Sequence, residues 1–475
     1  MTTFLALLEA GSIFAVVCAV ALGRLAPAPI GRADLAVAAA RSLAVSLCCV
    51  AAFYYNDLYD LRVLRNAAGF TARLPRALAT ALAMLCGVYV LVPGARMGAA
   101  PFLASLFLVA MTFLALRAAS RVVIRSRAYK ERVVILGTSP MAEKLVREIE
   151  ARRDARHRVV GVVADTAPPG TKPFPYPVLA PFGHLGRILE GARPDRVVVA
   201  MRERRGRLAV EHLLEARLRG VRVEDGHEFY ERITGKIAIE SLTPSGLIFS
   251  DGFGRTALSR SLGHAMSLLA SLAGLILLAP LFGVIALAIA IDSGGPVIFS
   301  QDRVGRGGRT FRLLKFRTMH PAGAHPSEWA RDNDHRVTRV GRWLRKFRLD
   351  ELPQFVNILR GEMNLVGPRP HPASNYDLFL ATVPYYSLRA AVRPGVTGWA
   401  QVRYRYANNL EEETEKMRYD LYYIKRQSIG LDLCILLDTL KIILLGRGQD
   451  AAHAGGTESP AGGRALPVRL RAREE

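Results

Sequence analysis

Four long apolar blocks open the chain, at about Phe4–Leu22, Leu35–Tyr55, Leu74–Val92 and Ala99–Leu116. Each is long enough to cross a hydrocarbon layer as a helix. Arg41 lies near one end of the second block, where it must reach the interface or face the bundle. Basic residues crowd the second connection (Arg62, Arg65, Arg73, Arg76) and the exit from the fourth block, where Arg117, Arg121, Arg125 and Arg127 precede Lys130 and Arg132. The first and third connections hold only Arg24, Arg32 and Arg96. The positive-inside rule therefore predicts both ends of the bundle on the cytoplasmic side.

From Glu131 the pattern changes to short apolar runs alternating with amphipathic segments. RVVILG, HRVVGVVAD, DRVVVAM and VRVED read as strands, and Met141–Arg152 and Leu208–Gly220 as helices, with Ala167–Pro181 a Pro-rich loop. Strand and helix in alternation predict a doubly wound, Rossmann-like α/β domain. Only Gly137 of a G-x-G-x-x-G fingerprint follows the first strand, which leaves open a nucleotide site, a spacer or a regulatory module. Ala265–Ile291 is a fifth apolar block with a helix break at Pro280, closed by Asp292-Ser293-Gly294-Gly295-Pro296. Arginines flank it on both sides, so the expectation is a re-entrant helix that enters and leaves on the cytoplasmic face. Two strand-like pieces around a Gly/Arg turn follow in VIFSQDRVGRGGRTFRLLKFRTM, then an acidic-to-basic amphipathic helix, then an interfacial helix at Leu431–Leu445 that carries Asp432, Asp438 and Lys441.

These readings divide the chain into four transmembrane helices (1–120), the α/β domain (121–245), a linker with the re-entrant membrane helix (246–292), a mainly α-helical domain (293–446) and a disordered tail (447–475). All candidate chemical residues lie beyond about 255. The preceding part is thus expected to be dispensable for chemistry, with a chain starting near Asp251 sufficing.

Composition narrows the partners. The chain has 475 residues, is 51% hydrophobic and carries a formal charge of +23. Such a balance suits nucleic acid or an anionic membrane with phosphate-bearing substrates. Zinc spacing, a helix-turn-helix signal and aromatic-studded basic strands are all missing, which argues for the lipid bilayer and no nucleic acid. Cys18, Cys48, Cys49, Cys86 and Cys434 lie in apolar segments without metal spacing and read as small buried hydrophobes in reduced surroundings. The first block lacks the basic flank and cleavage site of a signal peptide, so it reads as a transmembrane helix.

Candidate chemistry concentrates between Trp343 and Pro370. Leu352–Leu359 reads as a short helix with Pro353 in its first turn and Gly361 past its end. Asp350 and Glu351 would then sit at the positive end of its dipole, among Arg345, Lys346, Arg348 and Arg369. Such a pocket attracts phosphate and keeps carboxylates ionised, as a nucleophile or a metal ligand requires. The alternative is an acidic helix cap beside a solvated basic face. His320, His325, His335 and His371 lie in polar loops without ligand spacing and read as solvated or substrate-rim residues.

Three stretches carry a family resemblance: GPVIFSQDRVGRGGRTFRLLKFRTM (295–319), NDHRVTRVGRWLRKFRLDELPQFVNILRGEMNLVGPRP (333–370) and RPGVTGWAQVRYRY (393–406). The chain resembles the bacterial sugar transferases of the polyprenyl-phosphate hexose-1-phosphate transferase (phosphoglycosyl transferase) family, from about 260 to 445. The four spans and the α/β domain resemble its large members, and YYNDLYDLR with WAQVRYRY resembles the branch tied to exosortase-linked exopolysaccharide export. The resemblance implies transfer of a sugar-1-phosphate from a UDP-sugar to undecaprenyl phosphate with release of UMP, as a first membrane step of exopolysaccharide or O-antigen synthesis. It implies Asp350 as covalent nucleophile, Glu351 as Mg²⁺ ligand, and Arg345, Arg369, Pro370, Lys315 and Arg317 as matches to the family's phosphate-site motifs. It leaves room for a homodimer through the α/β domain and implies a bacterial inner-membrane location with the catalytic domain facing the cytoplasm. Ala279 stands where many members have Ser, and His335 where Pro is usual. The competing readings are a membrane-bound nucleotide-sugar dehydratase or epimerase, for which Tyr422 and Lys425 are one residue too close, and a non-enzymatic scaffold.

Overall fold

The computed structural model describes residues 2–23, 31–59, 67–96, 98–125, 130–151, 156–164, 178–202, 208–242, 252–254, 256–320, 335–404 and 409–444. The connections with Arg24, Arg62, Arg65 and Arg127, most of the Pro-rich loop, His325 and the predicted tail lie outside these residues. The chain forms two compact units, Met1–Gly226 and His227–Glu475.

The first unit opens with α1 (Thr2–Gly23), α2 (Arg32–Tyr55), α3 (Ala67–Leu91) and α4 (Ala99–Arg125). All four are long and apolar enough to cross a membrane. Phe53, Phe70 and Phe113 form the middle of their core, with 4.2 Å between the Phe53 and Phe113 ring centroids. Because α4 runs on to Arg125, Arg117 is not in an exit loop. It is buried, with Nε 2.8 Å from Oε1 of Glu9 on α1. The rings of Tyr59 and Phe113 lie over its guanidinium. An unpaired charge at such depth would cost several kcal/mol, about 3 on insertion scales, so the two charges require each other. Arg41 donates to the Gly94 carbonyl at 3.2 Å. Cys49 is buried as expected, whereas Cys86 is exposed on α3.

The α/β part is a five-stranded parallel sheet in the order β3-β2-β1-β4-β5. Its strands are β1 (Glu131–Leu136), β2 (His157–Ala164), β3 (Val178–Pro181), β4 (Arg196–Val199) and β5 (Arg222–Asp225), with helices α5 (Pro140–Ala151), α6 (Leu185–Ala192) and α7 (Val210–Leu218). The end of the predicted Pro-rich loop is thus an edge strand, where Pro181 is tolerated because it falls at the strand's last residue. Gly137 follows β1 with φ +102°, and a Cβ there would lie 2.9 Å from the Ala200 carbonyl. Glycine is required at this turn.

The second unit begins with α8 (Gly226–Thr234) and the segment to Leu242, not at 245. Ile237 and Ile239 are buried with Val366, Tyr386, Met417 and Leu421. Glu231 and Lys425 form a buried ion pair at 2.8 Å, Lys236 pairs with Glu415 at 2.7 Å, and Trp399 Nε1 donates to the Gly235 carbonyl at 2.7 Å.

The fifth apolar block folds as α9 (Ala257–Leu277) and α10 (Ala279–Ser293), broken at Leu278 with Pro280 in the first turn of α10. It starts earlier than its apolar window because Thr256 caps α9, its side chain accepting from the Ser259 amide at 3.3 Å. Gly263, Ser267 and Ser271 form the buried face of α9, and Gly274 leaves the space that Phe355 occupies. Ile285 and Ile289 of α10 pack against Phe316, Leu344, Leu349 and Leu352. A hairpin of β6 (Ile298–Val304) and β7 (Thr310–Phe316) follows, then α11 (Arg339–Lys346), α12 (Gln354–Leu359), β8 (Asn364–Val366) and α13 (Ala373–Thr382). β9 (Gly395–Thr397) pairs in parallel with β8, and α14 (Trp399–Arg403), α15 (Leu410–Lys425) and α16 (Ile429–Leu444) complete the unit. α16 buries Asp432 and Ile435 and exposes Leu433, Leu437, Leu440 and Leu444, so its outer face is apolar. Cys434 is exposed on it too.

Candidate active site

Three local structures meet at the acid pair. β7 delivers Lys315, a 3₁₀ turn over Leu349–Glu351 delivers Asp350 and Glu351, and the loop after β8 delivers Arg369. The turn is launched by Arg348, which ends the preceding helical segment with φ 52° in the left-handed region. That conformation is uncommon for a non-glycine residue. Leu349 and Leu352 anchor the turn on α10, while Phe355 sits against α9. The carboxylates therefore stand on a 3₁₀ turn before α12, which starts at Gln354 with Pro353 as its cap and not at Leu352. The charges nearest to them are the side chains of Lys315, Arg345, Arg348 and Arg369.

Glu351 is buried, and its Oε1 accepts from Arg369 Nη1 at 2.7 Å with Lys315 Nζ at 3.8 Å. Burial alone would raise its pKa. Arg369, Lys315 and Arg348 outweigh burial and bring it down to about 2. Asp350 is raised above its ordinary value by burial and by the Glu351 charge, against the pull of Lys315, Arg345 and Arg369. Burial, then Arg369, push Lys315 down to about 7, against the attraction of Glu351 and Asp350. The site thus holds two adjacent carboxylates of different proton affinity and an amine that titrates near neutrality.

Gln401 was not singled out from the sequence. Its Oε1 accepts from both Arg348 Nη1 and Arg369 Nη1, each at 3.2 Å, and ties the two guanidiniums together. Arg345 flanks the pair and donates to Thr318 Oγ1 at 3.2 Å. Arg317 does not join it. β7 ends at Phe316, so Arg317 leaves the strand and donates to Ser293 Oγ at 2.7 Å. Lys346 turns to the face of Trp343, 5.5 Å from the ring centroid. Pro370 contributes its carbonyl, which accepts from Arg303 Nη1 at 2.9 Å.

Beneath the Arg369 loop lies a buried polar network. Arg389 donates to the Arg369 carbonyl at 2.9 Å, pairs with Asp420 at 2.8 Å and donates to the Tyr386 hydroxyl at 2.9 Å. His371 Nε2 lies 2.9 Å from Glu413, and its other ring nitrogen contacts Tyr386. His371 is therefore a buried network residue and not a rim residue. Burial and Arg389 push its pKa down to about 3 despite Glu413, which keeps the ring neutral. His320 and His335 are exposed as expected.

Among the described residues, no group of three or more His, Cys, Asp or Glu side chains could hold a metal. One ionised carboxylate, Glu351, fits Mg²⁺ in chemical type, since that ion binds through one or two carboxylates, substrate oxygens and water. The pair required for a dehydratase or epimerase is otherwise engaged: Lys425 pairs with Glu231, and Tyr422 stacks on Trp399 with 5.8 Å between ring centroids.

Comparisons with known proteins agree with the place of this site. Residues 258–446 match the bacterial sugar transferase family, and residues 55–217 match a CoA-binding domain. The chain is 41% identical over 219 residues to the UDP-N-acetylgalactosamine-undecaprenyl-phosphate N-acetylgalactosaminephosphotransferase of Aeromonas hydrophila, covering 46% of this chain and 51% of that protein. It is 46% identical over 171 residues to the UDP-glucose:undecaprenyl-phosphate glucose-1-phosphate transferase of Caulobacter vibrioides, covering 35% and 64%. It is 31% identical over 335 residues to the undecaprenyl-phosphate glucose phosphotransferase of Komagataeibacter xylinus, covering 66% and 59%. The chain thus spans between about half and just under two thirds of the length of these relatives.

Proposed function

We propose that this chain, whose residues 258–446 match the bacterial sugar transferase family, moves a sugar-1-phosphate from a UDP-sugar to undecaprenyl phosphate, releasing UMP. The observation that carries this reading is the adjacent Asp350–Glu351 pair with Lys315, Arg348 and Arg369 around it. Two anionic substrates must approach an anionic nucleophile, and such a cationic set offsets the repulsion.

In this scheme a carboxylate oxygen of Asp350 attacks the β-phosphorus of the UDP-sugar. The bond from that phosphorus to the bridging oxygen breaks, and UMP leaves with the electron pair. A phosphate oxygen of undecaprenyl phosphate then attacks the same phosphorus, releasing the Asp350 carboxylate and forming the lipid diphosphate sugar. Lys315, Arg348 and Arg369 bind and orient the phosphates, and Gln401 fixes the two guanidiniums. Glu351 would hold Mg²⁺, which when bound neutralises charge on the diphosphate.

Both limbs of the broken helix pack on the catalytic unit, α9 against Phe355 and α10 against Phe316 and Leu352. This supports a re-entrant path, since a helix crossing the hydrocarbon, about 30 Å thick, would carry one limb away from that unit. The reading places the catalytic unit on the cytoplasmic face of the inner membrane, where nucleotide sugars are, and assigns the product to exopolysaccharide or O-antigen synthesis. A homodimer through the α/β domain is part of the same proposal.

The test is UMP release from UDP-sugars without lipid. A covalent mechanism gives a burst of about one equivalent per enzyme, and Asp350→Asn loses burst and turnover together. An active Asp350→Asn enzyme would refute the assignment. Adding short polyprenyl phosphate and identifying the lipid product fixes the sugar.

A further inference from the structure

A cavity of about 950 Å³ in the second unit shares no lining residue with the acid pair or the cations around it. One part of its lining is cationic, with Arg260, Arg306 and Arg393 beside His264. Another part is apolar, including Phe253, Leu388, Val392 and Ile424. Among the described residues, no carboxylate lines the cavity and no ion pair engages any of the three guanidiniums. Burial and the neighbouring Arg306 push the pKa of Arg393 down, as befits two cations held together without a counter-charge. Arg260 and Arg306 are exposed and Arg393 is half-buried, so the three guanidiniums face the cavity with no carboxylate in its lining, an arrangement that an anion completes.

The apolar part says which kind of anion. Arg260 and His264 stand in the first turns of α9, which continues as a helix long and apolar enough to cross a membrane. Leu258, Leu262 and Leu269 are exposed along it. Inorganic phosphate would use the arginines and leave the apolar wall and most of the volume unfilled. A molecule with an anionic head and a hydrocarbon chain uses both.

We propose that this cavity is a site for an anionic phospholipid of the bilayer, with its phosphate between Arg306 and Arg393 and its chain along the apolar wall towards α9. Asn364 and Val366 of β8 belong to the same lining. The bound lipid therefore braces the strand that leads into the Arg369 loop, which makes it a structural cofactor of the site and not a substrate.

The experiment is native mass spectrometry of the full chain in neutral detergent, titrated with phosphatidylglycerol or phosphatidylcholine. One phosphatidylglycerol should be retained above the phosphatidylcholine background. The Arg306→Gln/Arg393→Gln variant should lose affinity by about tenfold or more, since each tenfold is only about 1.4 kcal/mol of binding energy. Arg306→Lys/Arg393→Lys should keep most of it, separating loss of charge from loss of fold. Undiminished retention in the Gln variant would overturn the proposal. So would one-for-one displacement by polyprenyl phosphate, which would give the cavity to the acceptor lipid, or displacement by equimolar inorganic phosphate, which would make it a free-anion site. None of these outcomes depends on whether Asp350 is the nucleophile.

Discussion

Arg389 holds the backbone carbonyl of Arg369 at 2.9 Å, so the residue that grips Glu351 is itself held from beneath by a buried cation. Arg389→Ala would strand Asp420 in the interior, since Glu413 keeps Lys416 and His371, and breaking a buried pair costs about 3–5 kcal/mol. The expected outcome is a large fall in melting temperature with loss of activity. Arg389→Lys keeps the charge but cannot reach Asp420, Tyr386 and the Arg369 carbonyl together. It should fold, with kcat reduced more than KM is raised, and steady-state kinetics would show this.

Glu351→Gln removes the charge that Arg369 and Lys315 face. It should lower kcat/KM at least about a hundredfold, given the cost of about 3–5 kcal/mol for an uncompensated buried charge. It should also flatten the Mg²⁺ dependence. Superimposable Mg²⁺ titrations for wild type and variant would move the metal to another ligand.

Lys315 should set the alkaline limb of the pH profile. With its pKa at about 7, the cation is present below that value and lost above it. Hence kcat/KM, which reports the free enzyme, should fall as pH rises through about 7. The acid limb should belong to Asp350, whose raised pKa makes the attacking carboxylate disappear as pH drops. Lys315→Arg should remove the alkaline limb. A wild-type profile flat up to about pH 9 would contradict the assignment.

A chain beginning at Asp251 should fail, contrary to what the position of the motifs suggests. It lacks Glu231, the buried partner of Lys425, and leaves holes where Ile237 and Ile239 sit. Each lost isoleucine side chain costs about 2–5 kcal/mol. A chain beginning at His227 should retain transferase activity. Comparing the two by thermal melting and UMP release decides it.

Leu258→Cys and Thr310→Cys, each alone in a cysteine-free background, test the path of the broken helix. Both positions are exposed, one in the first turn of α9 and the other beyond α10, at the start of β7. Both should resist an impermeant thiol reagent in intact cells and react in inside-out vesicles. Labelling of one from each side would mean that the pair crosses.

The acid pair, Arg348 and Arg369 were legible because their charges are dense in a short stretch, whereas Lys315 entered only through the resemblance of its motif. The parallel strands were legible because buried strands read as apolar runs. Gln401 escaped notice because a neutral amide gives no charge signal. Arg317 was named only through the motif it shares with Lys315, and nothing local says that β7 stops at Phe316 and turns Arg317 to Ser293. The allegiance of residues 227–242 rests on pairs such as Glu231 with Lys425, which stand 194 positions apart, beyond the reach of any periodicity. His371 looked peripheral because a polar loop does not reveal what folds over it.

The ion pair between Glu9 and Arg117 joins residues separated by 108 positions, on the first and fourth helices. Chains emerge N-terminus first. Glu9 is thus made well before its partner, and an unmatched carboxylate in hydrocarbon is costly. The contact can form only once the fourth helix has been synthesised, so a chain lacking α4 leaves Glu9 without Arg117.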